Sequence, residues 1–157
     1  MKRKPEIQVM SRLEAYKYCK SCHNTPAVII SISTPNIEYP YELFKSETNG
    51  IVDTLDLSFA DVDGQDSIDI NDDNAAIKEL MTDKDAKRIA KFANRHKGIL
   101  LIIHCDEGVS RSAGIATAIL RYYTGDDAAI FDDCFSYNPN MWCYFKVLKA
   151  FGYNTDL

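Results

Sequence analysis

Two stretches of the chain carry almost nothing but apolar residues, Ala27-Val28-Ile29-Ile30-Ser31-Ile32 and Ile99-Leu100-Leu101-Ile102-Ile103. Short apolar runs of this kind are what strands buried on both faces of a sheet require. They predict strands over Ala27–Ile32 and Ile99–His104, the second the more deeply buried. Ile7–Met10 and Ile51–Leu57 read as two further strands. Elsewhere the pattern turns helical, over Ser11–Lys20, Lys84–His96, Ser112–Tyr123, Asp126–Phe135 and Asn140–Phe151. Thr82 and Asp85 form a capping-box pattern before the second of these, Gly98 closes it, and Asn140 after Pro139 opens the last. Strands alternating with helices predict one α/β domain over residues 1–157, with three α/β/α layers around a mainly parallel sheet. In such sheets a site forms at the C-terminal ends of the strands.

Composition narrows the function classes. A chain of 157 residues with 46% hydrophobic and 26% charged residues suits one globular domain that buries about two-thirds of its unfolded surface. The net charge of −5 provides no basic footprint for nucleic acid. No apolar run approaches the roughly 20 residues that span a bilayer, and the basic start Met1-Lys2-Arg3-Lys4-Pro5 continues into polar residues rather than a signal-peptide core. A cytoplasmic monomer without membrane or nucleic-acid partners is expected. Five cysteines, an odd number, imply free thiols in a reducing compartment. Cys19-Lys20-Ser21-Cys22-His23 has the form of a c-type haem attachment site, but it ends a predicted helix, and the export that haem attachment needs is not expected. No matching pair of ligands completes a zinc site around it. Asp61-Val62-Asp63-Gly64-Gln65-Asp66 places its glycine wrongly for an EF-hand calcium loop, and no glutamate closes it. No cofactor or metal is expected.

The chemistry lies at the end of the most buried predicted strand. There the chain reads His104-Cys105-Asp106-Glu107-Gly108-Val109-Ser110-Arg111-Ser112-Ala113-Gly114 and passes into a predicted helix. Five residues between Cys105 and Arg111 are enough for a loop whose backbone N–H groups converge on one centre. The free N–H groups of the helix's first turn and the positive end of its dipole add to that centre. It is an anion cradle, with Gly108 supplying backbone freedom for the curl. The same field stabilises a Cys105 thiolate. Arg111 can hold two phosphate oxygens through its planar fork, and Ser112 offers the sulfur a hydroxyl. His104 is expected to orient the loop by hydrogen bonding. Taken singly, Cys105 reads as a core residue and Arg111 as a surface charge, but the full spacing with glycine is not explained that way.

The pattern His-Cys, five residues, Arg-Ser, with glycine three after the cysteine, resembles the signature of the cysteine-dependent protein tyrosine phosphatase superfamily. The small size and the Ser112-Ala113-Gly114 continuation resemble its compact, dual-specificity-like bacterial branch. Similarity extends to Val9-Met10-Ser11-Arg12, Val28–Ile32, Leu57-Ser58-Phe59-Ala60-Asp61-Val62 and Tyr137-Asn138-Pro139-Asn140. The residues between Asp63 and Met81 match nothing familiar. Rhodanese-type loops are shorter and lack the Arg-Ser pair, and low-molecular-weight phosphatases and arsenate reductases carry their loop near the N-terminus.

The resemblance implies a phosphatase-like fold and a phosphomonoester hydrolase working through a phosphocysteine without metal. It also implies an aspartate general acid upstream of the cysteine. Asp61 is the choice, because Phe59-Ala60-Asp61-Val62 is similar to the Phe-x-Asp-Ile element of small phosphatases. Asp63 is the reserve, and Asp66, Asp69, Asp72 and Asp73 are read as solvated loop charges. The substrate-binding set is then Asp106, Glu107, Gly108, Val109, Ser110 and Arg111. The acids Asp106 and Glu107 would repel a polyanion, so a phosphotyrosine protein or another singly phosphorylated ester is the expected partner. A phosphate-binding module without turnover and a phosphatase for a non-protein ester are the alternatives. Cys134 and Cys143, read as helix-face residues, are candidates for a protective disulfide with Cys105.

Overall fold

The computed structural model describes residues 6–40, 42–62 and 80–155. Strands β1 (Ile7–Ser11), β2 (Ala27–Ser33), β3 (Ile51–Ser58) and β4 (Leu100–Cys105) lie side by side in the order β1-β4-β2-β3, every pair parallel. The two continuous apolar runs, β2 and β4, take the centre, where both faces are covered. β3 mixes buried Ile51 and Leu57 with exposed Val52, Asp56 and Ser58, as an edge strand does.

Helix α1 (Arg12–Lys20) covers one face of the sheet. Helices α2 (Asp83–Arg95), α3 (Arg111–Thr124), the short α4 (Ala128–Phe131) and α5 (Met141–Ala150) cover the other, which completes the three α/β/α layers. Side chains alternate along β4. Leu101, Ile103 and Cys105 join the larger core with Ile30, Ile32, Phe59, Ile89, Ile115 and Ile119. Leu100 and Ile102 join the smaller core with Ile29 and Cys19. Each fully buried isoleucine contributes about 1.5–3 kcal/mol through removal of apolar surface from water. The alternation has a functional consequence, because it turns Cys105 toward α3 and His104 toward α1.

Helix starts follow the expected chemistry. Thr82 and Asp85 form a reciprocal capping box at α2, and Ser11 and Glu14 form another at α1. Asn140 caps α5 by accepting the Cys143 N–H at 3.0 Å. The predicted helix Asp126–Phe135 is corrected to the single turn α4. Asp132 and Asp133 would place two negative charges at the negative end of a longer helix. The Asp133 carbonyl instead accepts from Ser136 and Tyr137, leaving Cys134 exposed on a turn rather than on a helix face, and Phe135 fully exposed. α3 begins at Arg111, one residue earlier than expected, and Gly125 at φ 80° ends it. The Cys19 to His23 segment disperses its residues: Cys19 is buried, Cys22 is exposed, and His23 stacks on Tyr18. All five cysteines are free, and no helix among the described residues is long and apolar enough to cross a membrane.

Gly114 sits where α3 crosses the start of α5. A Cβ there would collide with the Asn140 carbonyl oxygen and lie 3.1 Å from its nitrogen. Gly114→Ala is therefore expected to destabilise the fold by about 1–3 kcal/mol, read as a lower urea midpoint at unchanged slope. An unchanged midpoint would show that the two helices can separate freely.

Candidate active site

Cys105 is the last residue of β4 and Arg111 the first of α3, so residues 106–110 form the loop that joins them. Gly108, at φ +73°, bends this loop back over the junction of β1 and α1. A Cβ on it would lie 2.6 Å from the Met10 carbonyl carbon and 2.7 Å from the Ser11 nitrogen, so no larger residue fits. The Arg12 N–H donates to the Asp106 carbonyl at 3.2 Å and secures the loop from the same side. Cys105 is 3% exposed. Its sulfur accepts from the Gly108 N–H at 3.3 Å and lies 3.1 Å from the Ser112 hydroxyl. Burial pushes the thiol pKa up. The Ser112 hydroxyl, the N–H groups of Ser112 and Gly108 and the Arg111 charge together outweigh it and hold the pKa below the ordinary thiol value. Cys105 is thus poised toward the thiolate. The N-cap residue Ser110 makes no side-chain bond to the α3 backbone, so no side-chain cap competes with an anion at the first turn, where the Ser112 N–H already serves the Cys105 sulfur.

Arg111 is 4% exposed, and its donors can be counted. Of the five N–H groups of a guanidinium, Nη1 spends two, on the Phe59 carbonyl at 2.8 Å and the Thr34 hydroxyl at 3.0 Å. Nη2 lies 3.2 Å from Asp106 Oδ2. Nε is buried and has no partner among the described residues. What remains is the Nε edge with the second Nη2 hydrogen, the parallel pair that a phosphate can accept. A buried donor without a partner is costly, so this edge is suited to a ligand that supplies oxygens.

Asp61 follows β3 and reaches the same loop. Its Oδ1 accepts from the Ser110 hydroxyl at 2.7 Å and from Asn140 Nδ2 at 2.9 Å, while Oδ2 has no partner among the described residues. Asn140 also donates to the Val62 carbonyl, and its own N–H bonds the Ser110 carbonyl at 2.9 Å. One residue thus locks the Asp61 segment, the loop and α5 together. The reserve acid Asp63, the acids Asp66, Asp69, Asp72 and Asp73, and most of the calcium-like stretch lie outside the described residues. Among the described residues no group of three His, Cys, Asp or Glu side chains is arranged to hold a metal.

His104 stands behind the loop. Burial lowers its pKa to about 4, which keeps the imidazole neutral near pH 7. One ring nitrogen lies 2.6 Å from the Ser31 hydroxyl and the other 3.2 Å from the Cys105 carbonyl, so it ties the end of β4 to β2. Glu107 and Val109 are exposed at the loop, and the Val109 carbonyl accepts the Asn138 N–H at 2.9 Å. Asp106 has a different place from the one expected. Its carboxylate accepts from Tyr39 and Thr34 and pairs with Arg111, so Glu107 is the acid left free at the loop. Arg12, Thr34, Tyr39 and the Asn140 side chain escaped the sequence reading as site residues. Only Arg12 carried a signal, because a cation in the first turn of a helix opposes the dipole and calls for a nearby acid.

Comparison with protein-family models, with curated proteins and with solved structures finds no match to this chain. Ser112→Ala removes a donor to the sulfur, raises the Cys105 pKa and reduces the thiolate fraction at neutral pH. Alkylation of Cys105 by iodoacetamide at pH 7, followed by peptide mapping, is expected to slow about tenfold. An unchanged rate would show that the hydroxyl does not hold the sulfur.

Proposed function

We propose that this protein is a cysteine-dependent phosphomonoester hydrolase of the protein tyrosine and dual-specificity type. The observation that carries the proposal is the pairing of a depressed Cys105 thiol with the buried Nε edge of Arg111, which has no partner among the described residues, beside a first turn of α3 that no side chain caps. The resemblance of the Cys105 to Ser112 run to that superfamily supports the same reading. The exposed Glu107 favours singly phosphorylated substrates over polyanions. A phosphorylated protein or a small aryl phosphate is the substrate class, and free cysteines fit action in the cytoplasm.

The chemistry takes two displacements. The Cys105 thiolate attacks phosphorus, the phosphorus–oxygen ester bond breaks, and the departing oxygen takes a proton from Asp61. Loop and helix N–H groups with Arg111 neutralise the phosphoryl oxygens as the bond to sulfur forms. Asp61, now a carboxylate, takes a proton from water as the water attacks phosphorus. The phosphorus–sulfur bond breaks, inorganic phosphate leaves, and the Ser112 hydroxyl receives the sulfur as thiolate. Asn140 and Ser110 hold Asp61 against the loop through both steps.

The wild type is expected to hydrolyse p-nitrophenyl phosphate, with activity abolished in Cys105→Ser. Asp61→Ala should lower kcat about 100-fold on an alkyl or other poor leaving group and much less on p-nitrophenol. Phosphate or vanadate binding without turnover in the wild type would replace the enzyme with a phosphate-binding module. An Asp61 variant unaffected on the poor leaving group would remove Asp61 from the mechanism.

A further inference from the structure

A carboxylate immediately after the nucleophile, as Asp106 is, should weaken an anion site. Its surroundings give it another use. Asp106 Oδ2 accepts from the Thr34 hydroxyl at 2.7 Å and lies 3.2 Å from Arg111 Nη2. Thr34 in turn accepts from Arg111 Nη1 at 3.0 Å. The four groups close a ring, from Nη1 through the Thr34 hydroxyl and Oδ2 back to Nη2. With the Phe59 carbonyl also on Nη1, a guanidinium held at both terminal nitrogens cannot rotate about its own long axis without breaking three contacts.

The other side of Asp106 is fixed as firmly. Oδ1 accepts from the Tyr39 hydroxyl at 2.7 Å, and the Tyr39 hydroxyl oxygen accepts from the Thr34 N–H at 2.8 Å. The Arg12 guanidinium stacks on the Tyr39 ring at 3.6 Å and lies 3.8 Å from Oδ1. Arg12 is itself anchored to the end of β2, donating to the Ser33 hydroxyl at 2.5 Å and the Ile32 carbonyl at 3.4 Å. Two cations thus share one carboxylate. The arrangement leaves Asp106 no freedom to turn toward a substrate, and it leaves a net positive charge beside the cradle.

We infer that Asp106 is a positioning residue for Arg111, and that Tyr39, Thr34 and Arg12 form the brace that aims it. The brace consumes the far edge of the guanidinium so that the Nε edge stands ready for an oxyanion before substrate arrives. Preorganisation of this kind is where an electrostatic site gains most of its effect, because no reorientation is needed during the reaction. The inference rests on the phosphatase reading of the site for its catalytic consequence, but the brace itself acts on oxyanion binding.

Geometry and charge make opposite predictions for Asp106→Asn. If the carboxylate merely weakened the local field, its removal would tighten oxyanion binding. A loosened guanidinium would weaken it. Tyr39→Phe separates the two further, since it deletes one hydroxyl and changes no charge at neutral pH. The experiment is calorimetric titration of wild type, Asp106→Asn and Tyr39→Phe with tungstate, an inert oxyanion, at a temperature where circular dichroism shows each protein folded. p-Nitrophenyl phosphate turnover is measured in parallel. Tungstate affinity is expected to fall about tenfold in Tyr39→Phe and about 10- to 100-fold in Asp106→Asn, the loss expected for hydrogen bonds to charged groups. kcat should fall with it. Unchanged tungstate affinity in folded Tyr39→Phe, or tighter binding in Asp106→Asn, would overturn the inference. Tyr39→Phe keeps the test open if Asp106→Asn fails to fold. A wild type that binds tungstate with the expected losses in the variants but hydrolyses nothing would support the brace and reject the enzyme. A wild type that hydrolyses ester while both variants match it in tungstate affinity would do the reverse, and one that neither binds nor hydrolyses would reject both.

Discussion

Removing a guanidinium from water costs several kcal/mol unless acceptors and negative charge surround it. Arg111, almost completely buried, is that group, and the C-terminal edge of the sheet is arranged around it. Thr34 follows β2, Phe59 follows β3, and Asp106 follows β4. Each supplies one acceptor. The parallel register that places these three strand ends at one level is therefore also what makes the buried cation tolerable. A slip of one residue in any of the three would turn the acceptor it supplies away from Arg111.

The sulfur of Cys105 lies inside the same balance. Burial alone would keep it a neutral thiol, as it keeps Cys143, whose pKa is pushed far up by burial and by nearby Asp61. What separates the two cysteines is the set of donors. The Arg111 charge acts on both, but only Cys105 has the Gly108 and Ser112 N–H groups and the Ser112 hydroxyl. Two glycines make this possible by allowing close backbone approach: Gly108 lets the loop lie on the β1–α1 junction, and Gly114 lets α5 bring Asn140 to Ser110 and Asp61. The arrangement of the site depends on contacts that a single methyl group would prevent.

The sheet and the loop from Cys105 to Arg111, between a strand end and a helix start, were legible in the sequence because both are written in local pattern. The apolar runs of β2 and β4 have no amphipathic reading, and the spacing from Cys105 to Arg111 is contained in one turn of chain. The extent of α4 was not legible, since apolar content over Asp126–Phe135 suggests a helix while two aspartates at its end oppose one. Asp106 was misplaced for another reason. A carboxylate in an anion loop looks like a substrate filter until the partners that neutralise it are known, and Arg12, Thr34 and Tyr39 lie from 67 to 94 residues away in the chain. The Asn140 to Asp61 contact spans 79 residues and could not be read from either segment alone.

Central to the proposed function is the covalent phosphorylation of Cys105 during turnover. Rapid acid quenching of the wild type during hydrolysis of an aryl phosphate, followed by digestion and mass spectrometry, tests this directly. The predicted result is a phosphoryl group on the Cys105 sulfur and on no other residue. A phosphoryl group on Ser110, Ser112 or His104 instead, or steady hydrolysis with Cys105 replaced by serine, would contradict it.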